Sequence, residues 1–161
     1  MSGWGNAPGK EVMPAVQLVG HDSKIAEPRF VLIKDEEAWI NLWSEHLGVA
    51  ASHTPPTRHV VPKVDFTRYI VVGSFHGAGT NTDGEVVQSV LVGDDAVRIR
   101  FESSSFQTAG FGPGGDPGVK TTSFGLWVIE KTDKPIVIEQ PGPRLKADPV
   151  NWVEAKRFEA R

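Results

Sequence analysis

Between Val71 and Val92 the chain reads VVGSFHGAGTNTDGEVVQSVLV, with four glycines, two threonines, an asparagine and an aspartate between two apolar runs. Such a loop could cradle a phosphate. A phosphate-binding loop of the form G-x-x-x-x-G-K-[ST] needs backbone N–H groups and a lysine to meet the ligand. Gly79 and Gly84 have the spacing, but Glu85 stands where the lysine must be, and a carboxylate there repels an anion. The dinucleotide fingerprint fails at Thr82, where its third glycine belongs. EVVQSVLV reads as a strand, so no helix N-terminus is offered to a phosphate. An EF-hand alignment fits Asp83-Gly84 yet leaves Gly79 and Val90 at its first and last ligand positions. The segment is therefore expected to be a long β-hairpin loop, binding, if at all, by shape and hydrogen bonds.

Other reactive side chains fare similarly. A nucleophile elbow wants glycine two residues before the serine and a helix after it. Ser123 has Thr121 before it and a strand pattern behind it. The five histidines, His21, His46, His53, His59 and His76, form no H-x-x-x-H or H-E-x-x-H pair, so no metal or cofactor is expected. His46 falls near a helix C-terminus, where a structural role suffices. His76, at the mouth of the loop, is the histidine best placed for chemistry. A hydrolase built on His76 with a loop carboxylate such as Asp83 ranks third among the readings, because a lone histidine without a placed partner is weak support. No catalytic residue is assigned. The residues expected to touch a ligand or partner are His76, Asn81, Asp83, Phe106 and Phe111.

The balance of charge narrows the field. Seventeen Lys and Arg against 20 Asp and Glu give a net charge of −3, with no basic cluster, so nucleic acid is not an expected partner. The absence of cysteine excludes disulfides, thiolate catalysis and cysteine-bound zinc or iron–sulfur centres. No apolar run approaches the roughly 18 residues of a membrane-spanning helix. MSGWGNAPGKEVMPAVQ has no signal-peptide core. Two localisations stay open: cytoplasmic, or extracytoplasmic with the leader removed.

Chain length, 161 residues, suits one domain, and 17 Gly with 12 Pro favour β-structure. Residues 1–13 read as a flexible arm, and 14–161 as a single α+β domain. Ala38, Trp39, Leu42, Trp43 and Leu47 recur at helical spacing, with Asp35 as N-cap and Gly48 as stop. Strands are expected at 15–20, 28–34, 68–75, 85–92, 96–102, 122–131 and 134–140. Gly93-Asp94-Asp95 joins one hairpin and Thr132-Asp133 a second. Val97, Ile99 and Phe101 alternate with Arg98, Arg100 and Glu102, giving a two-faced strand. Residues 103–121 read as a long irregular loop. The tail around 149–160 starts like a helix at Asp148-Pro149, although NWVEAKRF also alternates; helix is the expectation. Trp127 and Trp152 suit either core or groove.

The succession EEAWINLWSEHLG, a proline-containing loop, PKVDF, YIVVGSF, and a closing WVIEK…KPIVIE resembles the C-terminal domain family of the protease complex subunit PrcB. The likeness covers about residues 28–140; the FGPGGDPG loop and the tail beyond Gln140 depart from it. It implies an exported, bacterial, non-catalytic domain that assembles with other proteins, such as an extracellular protease. Asp65 and Phe66 match the family step, but capping a turn and anchoring the core explain both. Trp39, Trp43 and Gly79 match positions whose job is folding.

The sequence therefore predicts an α+β protein, with a mostly antiparallel sheet of five to seven strands carrying one amphipathic helix on one face. The helix stripe is expected to pack on strands 69–75 and 97–101. The function expected is a non-enzymatic accessory or protein-binding domain. The alternative is a small-ligand or carbohydrate-binding β-rich module.

Overall fold

A computed structural model describes residues 9–52, 59–105, 118–144 and 147–160. Its elements are β1 (Lys10–Val12), β2 (Val16–Gly20), β3 (Arg29–Ile33), α1 (Glu36–Leu47), β4 (Tyr69–Thr80), β5 (Thr82–Val92), β6 (Val97–Ser105), β7 (Lys120–Glu130), β8 (Ile136–Pro141) and β9 (Trp152–Phe158). The class is α+β. The described strands form two sheets, ordered β1-β5-β6-β8-β9 and β2-β7-β4-β3. One pair, β6 with β8, is parallel, and the other pairings whose registers are resolved are antiparallel. The chain divides into two compact units. One comprises residues 15–86 and 103–131; the other comprises 1–14, 87–102 and 132–161.

The first unit holds α1 and the four-stranded sheet. Asp35 Oδ1 accepts from Ala38 N at 2.8 Å, which satisfies one of the free N–H groups at the helix start. Gly48 closes the helix at φ 76°, a left-handed conformation that glycine adopts without penalty, and its N–H reaches Ser44 O and Glu45 O. Trp39 and Leu42 pack with Ile33, Val71, Phe75, Phe124, Leu126 and Val128. Trp39 is fully buried and its Nε1 donates to Pro62 O at 2.7 Å, so the indole loses no hydrogen bond on leaving water. The expected packing on 69–75 is present. The core cluster around Trp39 contains no residue of 97–101, because β6 belongs to the five-stranded sheet. Alternation in a sequence shows that a strand has an apolar face, but not which sheet owns it.

In the second unit the alternation over 97–102 appears as read. Val97, Ile99 and Phe101 are buried, while Arg98 and Arg100 reach Glu139, Arg100 Nε at 2.8 Å. Gly93 N donates to Ala96 O at 2.9 Å in the turn between the neighbouring strands β5 and β6.

Several expectations change. The glycine-bearing segment 77–84 is almost wholly strand: β4 continues to Thr80, and the turn shrinks to Asn81. Gly77 to Thr80 pair with Ser123 to Lys120, so their backbone groups are satisfied by β7. β4 and β5 also lie in different sheets, as do β7 and β8, so neither connection is a hairpin. The tail is β9, antiparallel to β8. Its half-buried residues Trp152, Ala155 and Phe158 are spaced by three, which imitates a helix. A bulge between Ile138 and Glu139 in the register admits the extra residue and makes that spacing a strand's. Within the arm expected at 1–13, Lys10–Val12 pair with β5.

Candidate functional site

Among the described residues, a group of polar side chains removed from water lies in the first unit, where β4, β5 and β7 meet. Ser74 on β4 pairs with Gly125 on β7, and Gly77 pairs with Ser123. The register shifts between Phe75 and Gly77, so His76 is the extra residue of a bulge. Its ring lies over Gly79: a Cβ there would be 3.3 Å from His76 Cε1. From β5 come Asp83 and Glu85, two residues apart and therefore on one face. Ser103, near the end of β6, completes the group.

Glu85 is the most consequential member. It is only 2 % exposed. Its carbonyl accepts the Trp127 indole N–H at 3.0 Å, and its carboxyl Oε1 has Ser74 Oγ at 3.4 Å. Burial pushes its carboxyl above the ordinary glutamate value, against the opposing pull of Ser103, His76, Ser74 and Ser123. Glu85 Oε2, Ser123 Oγ, His76 Nδ1 and Asp83 Oδ1 are all buried without a hydrogen-bond partner among the described residues. Ser123 thus sits beside the carboxyl without completing a bond to it.

Two of the residues expected to bind, His76 and Asp83, are brought to this place. Neither His76 Nδ1 nor Asp83 Oδ1 has a hydrogen-bond partner among the described residues. Asn81 has a different task. At φ 59° it makes the turn into β5, its N–H donates to Val119 O at 2.8 Å, and its Oδ1 accepts from Val119 N at 2.8 Å. Phe106 and Phe111 lie outside the described residues, as does His53. Among the described residues no group of three or more His, Asp or Glu is placed to hold a metal ion.

Sequence reasoning passed over Glu85, which entered only as the residue that spoils a phosphate loop. The signal was its phase: Glu85 alternates with Gly84 and Val86 and is in step with Val87, which is buried. His46 also proves more buried than a helix-end histidine need be. It lies among Trp43, Phe75 and Phe124, with its ring 4.3 Å from that of Phe124. Its Nδ1 is 2.8 Å from Ser23 Oγ, and burial lowers its pKa despite the opposing charge of Asp22.

Asp65 makes the turn expected of it: Oδ1 accepts from Thr67 N at 3.1 Å and from Thr67 Oγ1 at 2.6 Å. Phe66 packs against the core. Glu36, Lys63, Val64 and Asp65 line an open recess with no buried unpartnered atom among the four. Among the described strands, β2 and β3 are outermost in the four-stranded sheet. On β2, Val16 and Val19 are 48 % and 39 % exposed. Comparison with family models, curated proteins and solved structures returns no match.

Proposed function

We propose that the chain is a non-enzymatic accessory domain that binds another protein through the β2 margin of its four-stranded sheet. The observation that carries this reading is the character of β2, an outermost strand paired with β7 on one side and bearing exposed Val16 and Val19. Val16 and Val19 lie on opposite faces of that strand, and each adds exposed apolar area at the margin for a partner to cover. Chemistry at His76 gains no support, since neither its Nδ1 nor Asp83 Oδ1 has the partner that a catalytic dyad requires. The likeness of EEAWINLWSEHLG, PKVDF and WVIEK to the PrcB family supports an exported, protease-associated setting.

The test is affinity capture from the native organism with the chain as bait, followed by cross-linking and mass spectrometry. A protein cross-linked to residues 16–20, and lost when Val16→Glu and Val19→Glu are introduced without change in circular dichroism, is the expected result. Undiminished capture by that double variant overturns the assignment of β2.

A further inference from the structure

A carboxyl group transferred from water to a protein interior is penalised far more as the anion than as the neutral acid. Glu85 has been so transferred, and the hydroxyls and the histidine that favour its anion are outweighed by burial. From β4 it is faced by the Ser74 hydroxyl and by His76, the cation-forming group that acts on it. From β6 comes Ser103, and from β7 Ser123; both are neutral hydroxyls. The nearest acid along β5 is Asp83, which can only add to the negative charge. No lysine or arginine takes part among the described residues, and Oε2 is left without a partner.

The neutral acid suits this place better. A proton on Oε2 turns an orphaned acceptor into a donor, and Ser123 Oγ beside it is an acceptor that also has no partner. Glu85 is also mechanically central. The bond from Trp127 Nε1 ends on its carbonyl, and a Cβ added to Gly125 would lie 2.0 Å from that oxygen, so β5 and β7 touch closely at this one residue.

We propose that Glu85 is a proton-operated latch: as the neutral acid it holds β5 against β4 and β7, and its ionisation loosens that contact. The anion seeks water, which it reaches only if the first residues of β5 move away from Gly125. The Trp127 indole N–H then loses its acceptor and exchanges with solvent.

The indole N–H is its own reporter. Hydrogen exchange at Trp127 Nε1 and the carboxyl carbon shift of Glu85, both by nuclear magnetic resonance, are followed from about pH 4 to about pH 10 in the full chain. The expected result is a carboxyl that titrates above the ordinary glutamate value of about 4.5. Beyond its midpoint, protection of the Trp127 indole falls by up to about tenfold per pH unit in excess of the intrinsic rate. Glu85→Gln, which keeps the shape and cannot ionise, removes the excess. Should that variant not fold, the wild-type chain decides, by whether the excess indole exchange sets in at the midpoint of the Glu85 carboxyl titration or not. A Glu85 carboxyl titrating at its ordinary value, or indole protection with the same pH profile in Glu85→Gln, overturns the proposal.

Discussion

Replacing Gly125 with alanine probes the closest approach in the first unit. A Cβ at that position would lie 2.0 Å from Glu85 O and 2.6 Å from Trp127 Nε1. Carbon contacts settle near 3.5 Å, so β5 has to retreat by more than about 1 Å, and the obstacle is backbone that no rotamer change can clear. Retreat breaks the 3.0 Å bond from Trp127 Nε1 to Glu85 O. An indole N–H left unpaired in a fully buried tryptophan costs about 2 kcal/mol. Repacking around the added methyl costs about 2 kcal/mol more. A loss of about 4 kcal/mol lowers the melting temperature by roughly 8–16 °C for a chain of this size. Gly73→Ala is the control. Its Cβ would meet Leu126 Cδ2 at 2.7 Å and Val31 Cγ2 at 3.0 Å, and both are side-chain methyl groups that can turn aside. About 1 kcal/mol is expected there. Thermal unfolding followed by far-ultraviolet circular dichroism measures both. If Gly125→Ala melts no lower than Gly73→Ala, the close approach of β5 to β7 is refuted.

Other perturbations act on the helix and its surroundings. Burial holds the pKa of His46 below its ordinary 6.5, so its contribution to stability is present above that value and is lost as pH falls beneath it. Melting temperature should therefore decline from about pH 6.5 downward, and His46→Gln should flatten that decline relative to wild type. Asp35→Ala removes the acceptor for Ala38 N and should cost about 1 kcal/mol, read from the midpoint of urea unfolding. Trp39→Phe leaves Pro62 O without its donor and a gap where the second ring stood, and about 3 kcal/mol should be lost in the same assay.

The helix was legible because its information is local. The three- and four-residue spacing from Ala38 to Leu47, the carboxylate at Asp35 and the glycine at position 48 each act within a turn or two of the chain, and each does in the structure what its chemistry suggests. Strand existence was legible for the same reason, as the buried side of 97–101 shows. Sheet membership was not. Thr132-Asp133 has the composition of a hairpin turn, yet the strands on either side join different sheets, a choice made by apolar partners far along the chain. The segment from Gly77 to Gly84 misled in the opposite sense. Its glycines signal a loop, but β7 pairs with Gly77–Thr80 and holds them extended, and β5 begins at Thr82. Of the candidate contact residues, the sequence found His76 and Asp83 and passed over Glu85, because burial of a lone glutamate is a property of what folds over it.

The order of the five-stranded sheet places its first and last strands in the chain, β1 and β9, on opposite margins. Each therefore acts as a guard rail for the strand inside it. Ile136, Val137 and Ile138 of β8 are buried, and β9 occupies their outer side with Glu154, Lys156 and Arg157 among its residues. Charges of this kind discourage stacking of one molecule's sheet onto another's. A polypeptide clipped after Gly142 would present the bare Ile-Val-Ile ribbon to its neighbours, so proteolytic loss of the tail is a route to self-association.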